Sequence, residues 1–220
     1  LTETTADLAF ALLMAVARRL PEGYDFVRRD RWQTWGPLLL LGKDIHGATL
    51  GLVGFGRLGR AMARRAKGFG MRTLDFSRTQ ASPQIEAELD ATFTPLDELL
   101  ARSDFVSLHT ALNEDTPHLI DARALSRMQN GAILINTSRG GVVDQAALAD
   151  ALRSGHLFGA GLDVTDPEPM RADDPLLALP NCLVVPHVAS ASERTRDRMA
   201  QKAAANLIAG LRGEPLPDPV

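Results

Sequence analysis

The chain has 220 residues, of which 45% are hydrophobic and 23% charged, and its formal net charge is −3. This composition is typical of one soluble globular domain, or of one domain and part of a second. The weak negative charge argues against a nucleic-acid partner, and no apolar run reaches the roughly 18 residues that a membrane span needs. Cys182 is the only cysteine, so we expect a buried free thiol, a reducing compartment and a cytoplasmic location without a secretory signal.

Helical and strand patterns alternate along the chain. Residues 4–20 carry apolar residues at helical spacing, and the mixed segment 21–47, punctuated by proline and glycine, predicts an extended arm. The elements predicted after the arm are strand 48–54, helix 57–70, strand 71–76, helix 94–103, strand 104–109, helix 122–129, strand 131–136, helix 144–155, strands 157–164 and 181–186, and helix 192–213. Thr94 and Asp144 are the expected N-caps of their helices. This alternation predicts an α/β fold with a doubly wound parallel sheet of Rossmann type.

The first predicted strand runs into a glycine-rich turn, Gly54-x-Gly56-x-x-Gly59, which opens a helix. In that context the first glycine makes the tight turn, the second lets the backbone approach a pyrophosphate, and the third lets helix and strand pack closely. The amides around Arg57 and Leu58 would face the phosphates, with the helix dipole behind them. The pattern therefore favours a dinucleotide site over a strand–helix turn without a ligand.

The end of the second predicted strand bears on the choice between NAD and NADP. An NAD enzyme usually has an acid there, which grips the ribose diol. Here Asp75 lies inside the strand, and the strand ends at Ser77, followed by Arg78 and Thr79. A hydroxyl and a guanidinium would bind a 2′-phosphate, which an acid would repel. We therefore expect NADP(H) to be preferred over NAD(H), the alternative being that Arg78 is an ordinary solvated side chain.

Three polar side chains follow apolar strands toward one expected edge of the sheet: Arg139 in INTSRGGVVD, Glu168 in DVTDPEP and His187 in VVPHVAS. Singly, they are compatible with a solvated arginine, a turn and a packing histidine. Jointly they are more informative, because ligands bind at the carboxyl ends of the strands in such a sheet. Arg139 would bind the carboxylate of a 2-keto acid, His187 would donate a proton near neutral pH, and Glu168 would orient the imidazole.

These motifs, with GFGRLG, GAGLDVTDPEP and PHVASAS, resemble the D-isomer-specific 2-hydroxyacid dehydrogenase family over nearly the whole chain. Within that family, DVTDPEP, SRT and the closing LRGEPLP are most similar to glyoxylate/hydroxypyruvate reductases. The resemblance implies reduction of glyoxylate or hydroxypyruvate to glycolate or D-glycerate with NADPH. It implies that Arg139 binds substrate and that Glu168 and His187 form the acid/base pair.

The resemblance also implies roles for residues whose type and position alone would not indicate a function. Asp163 would hold the nicotinamide carboxamide, and Thr137 and Ser190 would line the cofactor and substrate side. Glu168 disfavours the formate dehydrogenases of the superfamily, which carry glutamine at this position. Two residues depart from the family pattern, Ala111 where proline is usual and Ala189 where glycine is common, which bears on fine substrate placement.

Family members carry a further segment before this chain's first helix, which builds most of a flavodoxin-like substrate domain. We therefore expect that segment to be lost, or this chain to be a fragment of a longer protein. Residues 1–190 would form the cofactor domain, including the crossover helix and the arm. Residues 191–220 would return toward the missing substrate domain.

The arm carries Trp32, Trp35 and four leucines at 38–41, which would form a large apolar patch if they were exposed. Packing into the chain's own core is the alternative. In the resembling reductases the arm embraces the other subunit and a tryptophan reaches the neighbour's substrate pocket. That implies a homodimer and assigns Trp35 to the substrate site of the partner subunit.

Two other functions stay open. One is a different D-2-hydroxyacid dehydrogenase, of phosphoglycerate or lactate type. The other is a non-catalytic dimer that senses NAD(H), like the corepressors that share this fold and retain the arginine, glutamate and histidine. The expected partners are a small 2-keto or 2-hydroxy acid and a second copy of the chain, with no nucleic acid, membrane or metal.

Overall fold

Residues 1–219, the part of the chain that the computed structural model describes, form an α/β fold around one parallel sheet. The strands are β1 (Thr49–Val53), β2 (Arg72–Phe76), β3 (Ala91–Phe93), β4 (Phe105–Leu108), β5 (Ile133–Asn136), β6 (Gly159–Leu162) and β7 (Cys182–Val184). The helices are α1 (Thr2–Ala17), α2 (Leu20–Arg28), α3 (Arg57–Gly68), α4 (Pro83–Leu89), α5 (Leu96–Arg102), α6 (Ala122–Arg127), α7 (Gln145–Arg153) and α8 (Glu193–Leu211).

The strand order is β3-β2-β1-β4-β5-β6-β7, and every pairing is parallel. All residues of β1, β4, β5 and β6 are buried, as expected for apolar strands covered by helices on both faces. The order of the strands reverses between β1 and β4, and ligands bind at the carboxyl ends of the strands at such a point. The predicted doubly wound Rossmann-type sheet is confirmed.

Two apolar clusters cover the two faces of the sheet. Because side chains alternate along a strand, Leu52 faces the cluster built by α1 and α3, and Val53 faces the one built by α5, α6 and α7. Helix α1 lies beside α3, where Arg65 pairs with Glu3 at 3.0 Å and with Asp7 at 2.5 Å. Helix α1, the crossover helix expected from the sequence, therefore packs against the domain as an integral part of it.

The arm differs from the extended segment that we expected. Helix α2 occupies its first third, with Pro21 in the first turn and Arg28 in the last turn. Arg19, in the left-handed region at φ 51°, separates α2 from α1 and pairs with Glu22. Pro21 and Arg28 give α2 its start and end signals, and the expectation of a wholly extended arm was wrong.

Two elements between β2 and α5 were not predicted: α4, and the three-residue edge strand β3. The predicted N-cap Thr94 is also wrong, because its hydroxyl donates to the carbonyl of Thr92 at 3.0 Å and Pro95 takes the N-cap position. Asp144 is confirmed as a cap, accepting from the amide of Ala147 at 3.0 Å.

The apolar side chains of the arm lie on the surface of this chain. Trp35 is 78% exposed and Leu38 is 79% exposed, with Trp32 and Leu41 also mostly exposed. They do not pack into the chain's own core, which was the alternative. At the other end of the chain, α8 projects with Ala209 as its buried residue, and Thr195 is hydrogen-bonded to Thr4 of α1 at 2.7 Å.

Cys182 is a free thiol, as predicted, but it is only partly buried. Desolvation, with the nearby charge of Asp174, raises the pKa of that thiol to about 12. Over residues 1–219, we find no helix with the length and hydropathy needed to cross a membrane.

Candidate active site

Two clefts open along the carboxyl edge of the sheet and meet at Gly56 and His109. The first, which we call the Ser77 cleft, has a volume of about 600 Å³ and is lined by the loops after β1, β2 and β4. The second, the Arg139 cleft, has a volume of about 490 Å³ and is lined by the start of α1 and the loops after β1, β5 and β7. A ligand that spans both clefts must cross the glycine-rich turn between them.

The three glycines of that turn each meet a different constraint. Gly54 has φ 99°, and a Cβ there would lie 2.6 Å from the carbonyl carbon of His109. A Cβ on Gly59 would collide with the carbonyl oxygen of Gly54. A Cβ on Gly56 would meet nothing within 4 Å and would instead project into open space. The turn thus presents bare backbone to the clefts at the start of α3, which fits a pyrophosphate.

The end of β2 and the predicted cofactor residues Ser77, Arg78 and Thr79 line the Ser77 cleft. Ser77 Oγ donates to the carbonyl of Thr79 at 2.8 Å, and the Arg78 side chain is largely exposed. Arg78 Nη1 lies 3.4 Å from Asp115 Oδ2, an acid that the loop after β4 brings into the same cleft. No pattern in the sequence pointed to Asp115, because its loop reaches this place only through the fold.

Asp75 lies inside β2, as predicted, and not at the strand end. It is 0% exposed, and neither of its carboxylate oxygens has a hydrogen-bond partner among the described residues. Desolvation, with a smaller contribution from the charge of Glu86, raises the pKa of Asp75 to about 6, although Arg60 opposes the shift. Asp75 lines neither cleft and cannot grip a ribose from this position.

Arg139 lines the second cleft, on a tightly held turn after β5. The buried side chain of Asn136 accepts from the amide and hydroxyl of Ser138, at 3.0 and 2.8 Å, and donates to the carbonyl of Arg139 at 2.9 Å. A Cβ on Gly140 would collide with the backbone of Thr165, so this turn packs directly on the loop after β6. Arg139 Nη1 donates to the carbonyl of Ser138 at 2.6 Å, and the residue itself is exposed to the cleft.

Glu168 and His187 meet as predicted, through a hydrogen bond between Glu168 Oε1 and His187 Nδ1. Both side chains are partly exposed, and His187 lines the Arg139 cleft. Gln145, at the start of α7, holds the glutamate loop by two hydrogen bonds with the backbone of Asp166, at 2.7 and 2.8 Å. Since Glu168 occupies Nδ1, Nε2 is the nitrogen that can exchange a proton with a ligand.

Asp163 follows β6 and is 1% exposed. Its two carboxylate oxygens accept from the amides of Val188 and Ala189, at 2.7 and 2.9 Å. It is not among the residues that line either cleft, so its implied contact with a nicotinamide stays a prediction.

The other predicted cofactor and substrate residues are distributed as follows. Arg57, Leu58, Thr137 and Ser190 line the Arg139 cleft. The hydroxyl of Thr137 is buried without a hydrogen-bond partner among the described residues. Trp35 lies on the arm and lines neither cleft of its own chain. Across residues 1–219 no group of three or more histidine, cysteine or acidic side chains is arranged to hold a metal ion.

His109 lies at the junction of the two clefts. Desolvation lowers the pKa of His109 to about 4, so its imidazole is neutral at physiological pH. Its Nε2 lies 2.9 Å from the hydroxyl of Ser107. The two histidines of this edge are therefore chemically distinct: only His187 has a carboxylate partner.

Comparisons of this chain with a family model, with curated relatives and with solved structures all found matches. Residues 10–189 match the family model described as "D-isomer specific 2-hydroxyacid dehydrogenase, NAD binding domain". The chain is 56% identical over 215 residues to a glyoxylate reductase of Korarchaeum cryptofilum, covering 97% of this chain and 64% of the relative. It is 46% identical over 217 residues to the human glyoxylate reductase/hydroxypyruvate reductase, covering 99% of this chain and 66% of the relative.

A solved structure, the TT0316 protein from Thermus thermophilus, superimposes with a TM-score of 0.94 at 53% identity. The match covers 100% of this chain and 68% of that one. This chain spans about two thirds of the length of the curated relatives that it matches.

Proposed function

The chain belongs to the D-isomer-specific 2-hydroxyacid dehydrogenase family through its NAD-binding domain, and from that premise we propose that the whole protein reduces small 2-keto acids to D-2-hydroxy acids. Glyoxylate and hydroxypyruvate are the proposed substrates, and glycolate and D-glycerate the products. The observation that carries the proposal is the meeting of Arg139 and the Glu168–His187 pair beside the glycine-rich turn. The names of the relatives, glyoxylate reductase and glyoxylate reductase/hydroxypyruvate reductase, support the choice of substrate.

The proposed chemistry divides between substrate binding and proton transfer. Arg139 binds the substrate carboxylate, because a guanidinium offers paired N–H donors to two carboxylate oxygens. His187 donates a proton from Nε2 to the carbonyl oxygen that becomes the hydroxyl. Glu168, bonded to Nδ1, fixes the ring and favours the imidazolium that precedes the transfer.

A nicotinamide dinucleotide would supply the hydride for the carbonyl carbon when it is bound. The open backbone at Gly56 and the amides at the start of α3 would hold its pyrophosphate. Thr137, whose buried hydroxyl has no partner among the described residues, would line its nicotinamide end. These residues fit the group that the family's domain binds.

We propose that NADPH is preferred over NADH. Ser77 and Arg78 stand at the end of β2, and Asp75 is held inside the strand, away from any ribose. A 2′-phosphate would displace Asp115 from Arg78, since an exposed ion pair at 3.4 Å is weak.

We propose that the protein is a homodimer built through the arm. Trp32, Trp35, Leu38 and Leu41 are each more than half exposed, and soluble monomers rarely leave so many large apolar side chains of one short segment in water. A two-fold partner that receives this arm and donates its own would bury both copies. In that arrangement Trp35 would reach the substrate pocket of the partner subunit.

The test is keto-acid-dependent oxidation of NADPH by the whole protein. His187→Ala should lower kcat by roughly 10²–10⁴ while the affinity for NADPH, titrated by fluorescence, is retained. Arg139→Ala should mainly raise KM for the keto acid. His156→Ala is the matched control, because His156 follows α7 outside the arm and lines neither cleft, and it should leave both constants unchanged.

Near-wild-type kcat in His187→Ala would contradict the proton-donor role. A much higher kcat/KM for pyruvate than for glyoxylate would point instead to a dehydrogenase of lactate type. Tight dinucleotide binding without turnover of any keto acid would favour the non-catalytic sensor.

A further inference from the structure

The backbone of His187 adopts a conformation that its side chain disfavours. Its φ is 51°, in the left-handed region, which is sterically unfavourable for a residue with a Cβ. Such a conformation persists only where the surrounding structure determines it. The residue lies in a loop between β7 and α8, without a helix or strand of its own.

Asp163 supplies the hydrogen bonds that determine this conformation. Its carbonyl oxygen accepts from the amide of His187 at 3.0 Å, and its carboxylate accepts from the next two amides, Val188 at 2.7 Å and Ala189 at 2.9 Å. Three consecutive backbone donors of the loop therefore end on one residue.

Asp163 is itself held firmly. It is 1% exposed, and its own amide donates to the carbonyl of Asn136 at 2.9 Å, at the end of the neighbouring strand β5. The turn that carries Arg139 begins at the same Asn136. Asp163 thus connects the histidine loop with the arginine turn through a rigid part of the sheet.

The charged groups that act on Asp163 are those of the proposed acid/base pair. Desolvation raises the pKa of Asp163, the amides of Val188 and Ala189 and the charge of His187 oppose that shift, and Glu168 reinforces it. A buried carboxylate is retained most readily where backbone N–H groups take the place of water. The amides of the loop therefore stabilise the buried carboxylate, and the carboxylate in turn holds the loop in place.

We propose that Asp163 is a positioning residue, which fixes the loop at 187–189 so that His187 Nδ1 meets Glu168 and the ring faces the Arg139 cleft. This rests on the proposed function for its catalytic consequence, but the positioning itself needs no ligand. It differs from a contact with nicotinamide, because it acts in the protein without cofactor. Both carboxylate oxygens are already engaged in the loop.

The decisive variant is Asp163→Asn, which keeps the shape of the side chain and one carbonyl acceptor but loses the second. In the whole protein without cofactor, imidazole NMR should show that the His187 Nδ1–H resonance loses the downfield shift of its hydrogen bond to Glu168. In turnover, kcat should fall about 10- to 100-fold with KM for the keto acid little changed, since a charge-assisted hydrogen bond is lost. Asp75→Asn, which also neutralises a buried acid, is the matched control and should leave the His187 resonances unchanged.

A second measurement on the native protein guards against a variant that does not fold. The amides of Val188 and Ala189 should be protected from hydrogen exchange without cofactor, because they donate to a buried acceptor. Rapid exchange of both amides would overturn the proposal. So would Asp163→Asn with unchanged His187 imidazole resonances and a loss confined to cofactor affinity, the result expected of a nicotinamide contact alone.

The same experiments separate this inference from the proposed function. If the native protein turned over no keto acid, the function would fail. The resting-state NMR and exchange measurements would still decide whether Asp163 positions His187.

Discussion

Replacing Asp75 by asparagine should change the stability of the protein more favourably at neutral pH than at acid pH. Asp75 is fully buried in β2 with no hydrogen-bond partner for either oxygen among the described residues, and burial raises its pKa from 3.8 to about 6. The folded protein therefore holds this proton to a higher pH than the unfolded chain does. Where the folded state binds more protons, stability falls as pH rises.

The size of the effect follows from that shift. A difference of about two pKa units corresponds to about 3 kcal/mol, at 1.36 kcal/mol per unit. This stability is fully present below the unfolded pKa of 3.8, and it is lost as pH rises to about 6. The uncharged asparagine carries no such penalty at any pH, although its buried amide has a cost that does not depend on pH.

The assay is urea unfolding of the native protein and the variant at about pH 4 and about pH 7.5. The difference in unfolding free energy between variant and native protein is compared at the two pH values, so that the contributions of other titrating groups cancel. The gain from Asp75→Asn should be about 2.5 kcal/mol larger at the higher pH, because pH 4 lies just above the unfolded pKa and a small part of the effect is already present there. Glu86→Gln should shrink that gain, because Glu86 contributes to the raised pKa. Asp30→Asn, at an exposed aspartate, is the control and should show no such difference. A gain that is equal at the two pH values would refute the reasoning.

Two further predictions concern the cofactor and the arm. NADPH should bind more tightly than NADH in fluorescence titrations; Arg78→Ala should weaken NADPH about 10- to 100-fold and spare NADH, whereas Asp115→Asn should strengthen NADPH a few-fold. Equal affinities in the native protein would remove the basis for an NADP preference. Leu38→Ser and Leu41→Ser should give monomers or aggregates in light scattering, and Trp35→Ala should change substrate preference; a stable native monomer would count against the dimer.

Most of the sheet could be predicted from the sequence because its central strands are buried on both faces. Burial on both faces demands uninterrupted apolar runs, such as the one that forms β5, and these are visible without knowledge of the fold. The edge strand β3 has three residues, of which one is buried, so it leaves no such run. Helix α2 has no buried residue in this chain, but Leu20, Tyr24 and Val27 recur at helical spacing, so the sequence carries a signal for it that our prediction of an extended arm missed.

In the candidate site, too, some residues could be predicted from the sequence and others could not. Arg139 and His187 could be predicted because each directly follows an apolar strand, and the carboxyl ends of parallel strands share one edge. Gln145 and Asp115 could not, because each acts on a segment that only the folded chain brings near. Asn136 bonds to Ser138 and Arg139, which are close to it in the sequence, but no pattern marks it for this role. Gln145 bonds to Asp166 across 21 residues, and Asp115 reaches Arg78 across 37.

Asp75 and Asp163 show why residue type and strand position do not suffice to assign a role. Inside β2 the backbone donors around Asp75 belong to the ladder with β1 and β3, so no amide is left for its carboxylate. Asp163 lies one residue beyond β6, where the chain after β7 has left the sheet and its amides are free to donate. The same carboxyl group is thus a source of instability within a strand and a support for the loop that carries His187 just past one. The supply of unpaired backbone amides, which no local sequence pattern records, decides between the two.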